Sequence, residues 1–500
     1  MVGSFEYLNL AIFHPQELRA VLNYKIWRED PIRKLNDHPE TSRINHPTMR
    51  ACWDFLDQTS RSFSAVVKEL DTDLSRVICI FYLILRGLDT VEDDMTIEID
   101  LKEDLLKNFY LRLDQIGWNF EDSGPDEKDR KLLVEFDKVI EEFQLLEADY
   151  RTIITDVTAR MGGGMAKFAR MAADQDGILS VETMNDYDSY CHYVAGIVGE
   201  GLSRIFSSSG KEDPGLAQQI RLSNSMGLML QKTNILRDFR EDIDQGRLFW
   251  PKEIWSKHFQ HPRQMIESSN LQKARWALSE MTLDALCHAI DSLEYLTLIR
   301  NQSVFNFCAV PQVMAIATLE ICFNNLAVFE RNVKIRRSKM IELSARALNP
   351  RDLSYIFSDF AQKIHAKIDL DDPSYLKLCE ISSKIVAWTE NRYPSYITPA
   401  KVPPLYSDDP AAGLIDDARI QQQPVLKKNE SLNKQADRTG KNQRLTIDEL
   451  KFTVIIVSLV VGLILIVSLF IGGLIYLITK GENDGKIKLK VPLTSIRVEL

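Results

Sequence analysis

The most informative residues form two acidic clusters whose carboxylates recur at helical spacing. In the first, Tyr82, Arg86, Asp89 and Asp93 are separated by four, three and four residues, and Glu92 lies between the last two. If this stretch is one helix, those four side chains share a face, directly after a long apolar segment. A solvated helix end with ordinary acidic residues is the alternative interpretation of this cluster alone.

The second cluster lies near the middle of the chain. Asn234, Asp238 and Asp242 again recur every four residues, and apolar residues between them can face a core. Arg237 and Arg240 are interspersed with them, so ordinary surface salt bridges explain this cluster equally well when it is taken alone.

Taken together, the two clusters indicate a metal site that binds a phosphorylated ligand. Carboxylates four residues apart on two facing helices supply hard oxygen ligands, which suit Mg²⁺ or Mn²⁺. A diphosphate that bridges such ions is a better leaving group, because the charge that develops as its C–O bond breaks is stabilised. Arg86 and Arg237, one beside each cluster, suit the same anion. The sequence therefore predicts a magnesium-dependent enzyme that acts on an organic diphosphate.

Aromatic residues are candidates for stabilising the cation that a departing diphosphate leaves behind. Such a cation needs aromatic faces and the exclusion of water. Phe63 follows the segment 60–62, whose hydroxyls and arginine suit phosphate, and Tyr193 precedes a run of small residues. Phe305 and Phe307 lie in a further short motif. For each aromatic taken singly, packing in a core is the favoured interpretation.

Helices must position these residues, and the apolar pattern predicts helices. Most of residues 1–398 show a period near 3.6, hairpin dipeptides between alternating strands are absent, and Gly and Pro are sparse at 22 and 18. We therefore expect an all-α fold, with one large helical catalytic domain over residues 1–398. Its ligand is expected in a central cavity between facing helices.

Composition narrows the class of protein. The 500-residue chain is 45% apolar and 26% charged, which is typical of a globular protein. Its net charge of −10 argues against nucleic acid as a partner. The seven cysteines form no Cys-x-x-Cys pair, so we interpret them as reduced thiols in a cytosolic compartment.

The C-terminal part of the chain predicts a membrane anchor. Residues 452–479 contain no charged side chain, and as a helix they would extend roughly 40 Å, enough to cross a bilayer. Residues 399–451 before them resemble a flexible, solvated linker, and residues 480–500 form a short tail. We expect a tail-anchored protein with its catalytic domain facing the cytosol. Lys and Arg are balanced across the span, so they do not settle its orientation.

Six motifs, in this order, resemble those of squalene synthases, the farnesyl-diphosphate farnesyltransferases of the squalene/phytoene synthase family. The resemblance covers about residues 40–345, and six such motifs together with a C-terminal anchor are specific. The motifs occupy residues 59–63, 88–95, 190–196, 231–238, 249–251 and 301–308.

The resemblance implies a prenyl-synthase-type helical domain and a two-step reaction. Two molecules of farnesyl diphosphate condense head to head into presqualene diphosphate, which then ionises, rearranges and is reduced by NADPH to squalene. The resemblance further implies that Tyr193 transfers a proton in the first step. Tyr82 would be a second polar aromatic of the cavity, and Phe63 and Phe307 would be its cation-stabilising walls.

The same resemblance assigns ligand-binding residues. Those for Mg²⁺ and the diphosphate are Asp89, Glu92, Asp93, Asp238 and Asp242. Those for substrate are Ser60, Arg61, Ser62, Arg86, Gln231, Asn234 and Arg237. Those for NADPH are Arg61, Arg86, Arg237, Lys334 and Arg336.

The site for NADPH departs from the usual nucleotide-binding pattern. No Gly-x-Gly-x-x-Gly follows a predicted strand, so a Rossmann domain is not expected. The basic segment 333–337 resembles the family's cofactor-phosphate segment, although its residues alone favour a solvated basic turn. Two positions differ from the family pattern. Phe239 replaces a tyrosine, which removes a hydroxyl from the edge of the site, and Arg337 and Ser338 replace Lys-Gly.

Two other functions stay open at this point. A phytoene-synthase-like enzyme would share the acidic motifs and the condensation but would not use NADPH. A non-catalytic, membrane-tethered helical scaffold would need no metal motifs. The basic segment and the anchor favour squalene synthesis, which by analogy with the family is expected at the endoplasmic reticulum membrane. Membrane lipid would surround the anchor, and other enzymes of the sterol pathway are a further class of partner.

Overall fold

Helices account for nearly all of the regular structure in the computed structural model, as the 3.6-residue periodicity predicts. The structure describes residues 4–27, 31–60, 62–174 and 179–395, which belong to one compact unit, Met1–Tyr396. The predicted linker (399–451), anchor (452–479) and tail (480–500) lie outside these residues. All seven cysteines are free thiols, as predicted.

Among the described residues, eleven helices precede the first strand. They are α1 (Ser4–Phe13), α2 (Pro15–Trp27), α3 (Pro31–Asp37), α4 (Pro39–Ser42), α5 (Pro47–Ser60), α6 (Ser62–Lys68), α7 (Thr72–Asp93), α8 (Ile99–Arg112), α9 (Arg130–Val134), α10 (Asp137–Gln144) and α11 (Ala148–Asp174). Next come strand β1 (Leu179–Ser180), α12 (Met184–Cys191), a π-helical turn (His192–Gly196), α13 (Ile197–Ser208), α14 (Ile220–Arg237), α15 (Phe239–Asp244) and strand β2 (Arg247–Leu248). The last helices are α16 (Lys252–Trp255), α17 (Leu271–Leu286), α18 (Ala289–Leu298), α19 (Gln302–Cys322), α20 (Arg337–Arg346), α21 (Pro350–Ala366) and α22 (Tyr375–Arg392). Short 3₁₀ helices occupy Pro214–Gln218, Pro262–Ile266, Ser268–Asn270 and Leu326–Phe329.

Helix α7 carries the first acidic cluster on a well-buried support. Leu74, Ile78 and Phe81 are each at most 2% exposed. They anchor the helix among α5, α8 and α11. The helix ends at Asp93, so the acidic residues lie at its C-terminal end, as one continuous helix predicts.

The second acidic cluster spans two helices rather than one. Asp238 lies between α14 and α15 with φ −96° and ψ 8°. Its backbone N–H still donates to the carbonyl of Asn234 at 2.9 Å, and that of Asp242 donates to the carbonyl of Asp238 at 3.0 Å. The four-residue spacing is therefore preserved across the break.

The π-helical turn that carries Tyr193 packs closely against α14. A Cβ added to Gly227 of α14 would lie 2.4 Å from the carbonyl oxygen of Ala195, within the turn. Glycine therefore allows the two backbones to approach each other directly. Single π turns inside helices occur frequently at functional sites.

Helix α19 runs through the core and is apolar nearly all round. Among the described residues it alone is long and apolar enough to cross a membrane, but 67% of its most apolar window is buried inside the protein, so it is a core helix. Pro311 lies within it. Because proline has no N–H, the carbonyl of Phe307 lacks its usual helical donor four residues later.

A short pair of strands is the one departure from an all-α fold in the part of the chain that the structure describes. Strands β1 and β2 pair in parallel, with Leu179 opposite Arg247 and Ser180 opposite Leu248. This pairing is only two residues long, but it fixes the backbone of Arg247 beside the acidic clusters.

Candidate active site

Arg86 is held between two carboxylates. Its Nε donates to Asp129 Oδ2 at 2.7 Å, and its Nη1 donates to Asp89 Oδ2 at 3.4 Å. Asp129 is only 5% exposed, so it needs this arginine as a counter-charge. The guanidinium is thereby oriented next to the first carboxylate of the acidic cluster on α7.

Arg247 connects the two acidic clusters. Its Nη1 donates to Asp93 Oδ1 at 2.7 Å, and its Nη2 donates to Asp242 Oδ1 at 3.3 Å. The C-terminal end of α7 and the helix α15 therefore face each other across one guanidinium. This is the arrangement of facing carboxylates that the sequence predicts.

The carboxylates of the site lie close together, and the neighbouring cations do not balance their negative charge. Burial raises the pKa of Asp89 to about 7, with Arg86 opposing the rise and Asp93 adding to it. Burial also raises the pKa of Asp242 to about 7, against the attraction of the bridging arginine. The pKa of Glu92 is well above its ordinary value because of burial and the two neighbouring aspartates. Protons or added cations are needed to balance this charge.

Divalent cations fit this set of donors. The first cluster lies at the C-terminal end of α7, where negative side chains oppose the helix dipole and need compensation. Among the described residues, no group of three carboxylates forms a ready-made metal cage. Mg²⁺ does not require such a cage, because it is usually held by one or two protein carboxylates while waters and substrate phosphates complete its shell.

A cavity of about 360 Å³ opens beside the acidic face of α7. Arg86 and Asp89 form one part of its wall, and Tyr82 lies next to them. The ring of Phe63 lies 6.2 Å from that of Tyr82 and 5.2 Å from that of Phe307. The rest of the wall comes from α11, α13, α14, α18, α19 and the π turn. A charged head group and an apolar chain can thus be bound side by side.

The sequence of this chain matches a known family. The model of the family described as squalene/phytoene synthase matches residues 56–339, more than half of the chain. The chain belongs to the squalene/phytoene synthase family.

Squalene synthases are among the relatives of this chain within this family. The squalene synthase of Mycosarcoma maydis is 51% identical over 416 residues, which cover 80% of this chain and 72% of the relative. That of Ganoderma lucidum is 46% identical over 89% of this chain and 98% of its own. A solved ligand complex of TcSQS superposes with a TM-score of 0.66 at 38% identity, covering 69% of this chain and 99% of that one. The predicted resemblance is confirmed, and the chain is an enzyme of the squalene synthase type.

Tyr193, the expected proton carrier of a squalene synthase, lies in the π turn beside the cavity. Its neighbours Val194 and Ala195 line the cavity wall. The ring rests on α11, where a Cβ added to Gly164 would lie 2.2 Å from Tyr193 Cγ. Phe168 of the same helix packs edge-on at 6.5 Å. Packing against α11 therefore holds the ring in place.

The aromatic candidates separate into cavity and core. Phe63, Tyr82 and Phe307 all line the cavity. Phe305, from the same motif as Phe307, is equally buried at 3% exposed, but it does not line the cavity. Phe305 is therefore a core residue, whereas Phe63 and Phe307 belong to the cavity wall.

The predicted phosphate-binding residues come from three places. Ser60, at the end of α5, donates its hydroxyl to the carbonyl of Leu56 at 2.8 Å. Arg61 lies outside the described residues, and Ser62 begins α6. Gln231 and Asn234 are half-buried on α14, and Arg237 at its end pairs with Asp238.

The basic segment lies beyond the second acidic cluster. Asn332 donates to Glu241, which places the start of the segment next to α15. Lys334 is exposed. Arg336 donates to Glu17 of α2 at 2.6 Å, and Ser338 donates to the same carboxylate at 2.7 Å. The departure from the family pattern at Ser338 therefore has a hydrogen-bond partner within this chain.

The other departure, Phe239, lies away from the rim of the site. It is 1% exposed, and its ring packs 4.5 Å from Trp250 and 5.2 Å from Phe329. The expectation that this substitution strips a hydroxyl from the edge of the site is therefore wrong, because the position belongs to the core beneath α15.

Two residues of the site, Arg247 and Asp129, lie outside the sequence motifs that indicate the function. Arg247 lies five residues after Asp242, in a stretch between two recognised motifs, and Asp129 lies in a charged loop. Neither has a diagnostic spacing to its partner. The sequence feature that could have indicated Arg247 is its position as a single basic residue between an acidic helix and the aromatic motif 249–251.

Proposed function

We propose that this chain condenses two molecules of farnesyl diphosphate head to head into presqualene diphosphate and then reduces that intermediate to squalene. The observation that carries the proposal is the contact of Arg247 with both acidic helix ends. Asp89 belongs to this charged surface and also to the wall of the aromatic cavity. A substrate with a diphosphate head and a hydrocarbon tail requires such an arrangement.

Mg²⁺ fits the carboxylate donors of the two acidic clusters. The residues that would hold it are Asp89, Glu92, Asp93, Asp238 and Asp242. When bound, such ions polarise the diphosphate oxygens and stabilise charge on the leaving group. The raised pKa values of Asp89 and Asp242 support this role, since crowded carboxylates gain most from an added cation.

The side chains around the cavity would control the organic part of the reaction. Arg86, oriented by Asp129, would donate to diphosphate oxygens. The faces of Phe63 and Phe307 would stabilise positive charge on the farnesyl carbon and exclude water from it. The hydroxyl of Tyr193 would carry the proton that is lost in the condensation.

NADPH would supply a hydride when bound. The residues that would hold its phosphates are Arg61, Arg86, Arg237, Lys334 and Arg336. Arg336 has 56% of its side chain exposed, so an incoming phosphate can join or replace the carboxylate of Glu17. The exposed Lys334 adds a second positive charge to the same segment.

The catalytic unit would be attached to the endoplasmic reticulum membrane, facing the cytosol. The uncharged segment 452–479 supports a tail anchor. The match to the Ganoderma lucidum enzyme covers 89% of this chain, more than residues 1–395 can supply, so this relative shares part of the C-terminal region. Membrane lipid around the anchor, and other sterol-pathway enzymes, are the corresponding partners.

Product analysis tests the function. The full-length protein in detergent would be incubated with farnesyl diphosphate and Mg²⁺, with and without NADPH. Squalene only with NADPH, and presqualene diphosphate without it, would support both steps. A hydrocarbon product that is indifferent to NADPH would indicate a phytoene-synthase-like enzyme. A non-catalytic scaffold would bind farnesyl diphosphate equally well with Mg²⁺ and with EDTA.

A further inference from the structure

Gln312 of α19 is a fully buried amide in the wall of the cavity. It is 0% exposed, and its Oε1 has no hydrogen-bond partner among the described residues. Its Nε2 donates to the carbonyl of Met226 at 3.0 Å. A flipped amide would bring two acceptors face to face, so this bond fixes which end is the oxygen. Buried acceptors without a donor are rare and call for an explanation.

A second acceptor lies one turn earlier on the same helix. Pro311 cannot donate to the carbonyl of Phe307, so that carbonyl lacks the usual helical hydrogen bond. Phe307, Pro311 and Gln312 all belong to the cavity wall. The proline in α19 therefore adds a backbone dipole to the amide of Gln312.

The hydroxyl groups near these acceptors do not supply the missing donor. Ser203 donates its proton to the carbonyl of Gly199 at 2.9 Å. Tyr295, a cavity residue, must then donate to Ser203 across their 2.6 Å contact. Ser223, also in the wall, donates to the carbonyl of Ile220 at 3.1 Å. Each of these hydroxyls already donates its proton to a hydrogen bond. Toward any other group it can therefore only act as an acceptor.

Arg86 and Asp89 form a charged part of the cavity wall, whereas Gln312, with its unpaired amide oxygen, lies in the part of the wall that α19 forms. Negative dipoles in an apolar, water-poor space stabilise a positive charge more strongly than they would in water.

We propose that Gln312 is a further catalytic residue of the second half-reaction. Its amide oxygen, assisted by the Phe307 carbonyl, stabilises the carbocation that forms when presqualene diphosphate loses its diphosphate. The C–O bond breaks, its electron pair leaves with the diphosphate, and the positive charge stays on the carbon skeleton. The dipoles would stabilise that charge without forming a bond, and NADPH, when bound, would supply the hydride that completes the reduction. This inference rests on the proposed function.

The first test separates the two half-reactions in the full-length enzyme. Gln312→Leu removes the acceptor, and Gln362→Leu is the matched control at an exposed position of α21. With presqualene diphosphate and NADPH, we expect Gln312→Leu to slow squalene formation about tenfold or more, the effect of losing one contact to a charge. Formation of presqualene diphosphate from farnesyl diphosphate should be slowed less, and Gln362→Leu should leave both half-reactions within about twofold of wild type.

The second test measures whether Gln312 stabilises a positive charge in the cavity. Binding of an ammonium analogue of the carbocation and of its neutral carbon isostere is compared in the presence of Mg²⁺ and diphosphate. Gln312→Leu should lower the preference for the cation about tenfold and leave the neutral analogue unchanged. Gln312→Met, which has a similar length and no acceptor oxygen, should behave alike and replaces Gln312→Leu if that variant fails to fold.

An unchanged preference for the cation, or an equal loss in both half-reactions, overturns the role of Gln312. A wild-type enzyme that forms no squalene from farnesyl diphosphate overturns the proposed function instead, so the two failures are distinguishable.

Discussion

Arg247 donates to Asp93 at 2.7 Å, although 154 residues separate them in the sequence. The same guanidinium reaches Asp242 at 3.3 Å, on the opposite acidic helix. One cation therefore lies between carboxylates that would otherwise repel each other. Mg²⁺ and a diphosphate would bind near this guanidinium. Because Arg247 belongs to strand β2, this strand contributes to the site.

Replacing Arg247 by methionine should weaken substrate use. The carboxylates of both acidic helices lose their shared counter-charge and their common anchor, so we expect the KM for farnesyl diphosphate to rise about tenfold. Steady-state kinetics at fixed Mg²⁺ measure this. Arg221→Met is the matched control, because Arg221 is 74% exposed and forms an ion pair with Asp291 away from the acidic clusters. Equal kinetics for the two variants would refute the role of Arg247.

Two adjacent glycines offer a test of how Tyr193 is positioned. A Cβ added to Gly164 would lie 2.2 Å from Tyr193 Cγ, whereas one added to Gly163 would have nothing within 4 Å. Gly163→Ala should keep its activity and gain about 0.5–1 kcal/mol of stability from helix propensity. Gly164→Ala should displace the ring and lower kcat about a hundredfold. Similar kcat values for the two would show that the ring position is unimportant.

Tyr193→Phe keeps the ring and removes the proton. If Tyr193 carries the proton in the condensation, product formation should fall by about 10²–10⁴-fold. Equilibrium binding of a non-reactive farnesyl thiodiphosphate should stay near normal, because the cavity keeps its shape. Tyr150→Phe, which removes a hydroxyl outside the cavity wall, serves as the control. Near-normal turnover by Tyr193→Phe would contradict the assignment of Tyr193 as the proton carrier.

The raised pKa of Asp89 predicts how the metal-free chain responds to pH. Because its pKa rises from 3.8 to about 7 on folding, the unfolded chain loses this proton first as the pH increases. The contribution of Asp89 to stability is therefore present at low pH and is lost as the pH rises through that interval. In EDTA, wild type should lose stability relative to Asp89→Asn between about pH 5 and about pH 7.5. Chemical denaturation at both values checks the sign, and a change in the opposite direction would contradict the pKa.

Local pattern sufficed to predict the parts of the site that lie on single helices. Tyr82, Arg86, Asp89 and Asp93 share one face of α7 because their spacing follows the helical repeat. The helical fold follows from the same periodicity. These features need no knowledge of which helices pack together.

The parts of the site that could not be predicted from the sequence depend on contacts between segments that are far apart in the chain. Asp129 orients Arg86 across 43 residues, and Arg247 reaches Asp93 across 154. Strand β2 is two residues long, too short for an alternating pattern to show. The core position of Phe239 follows from the packing of Trp250 and Phe329 around it. Spacing along the chain carries no information about such pairings.

The central claim is that both acidic helix ends bind one diphosphate through Mg²⁺. The most direct test is calorimetric titration of the full-length protein with farnesyl thiodiphosphate, in Mg²⁺ and in EDTA, for wild type, Asp93→Asn and Asp242→Asn. We predict tight binding by wild type in Mg²⁺ only, and a loss of about tenfold or more in each variant. Binding that is equally tight in EDTA, or that depends on only one of the two aspartates, would contradict the claim.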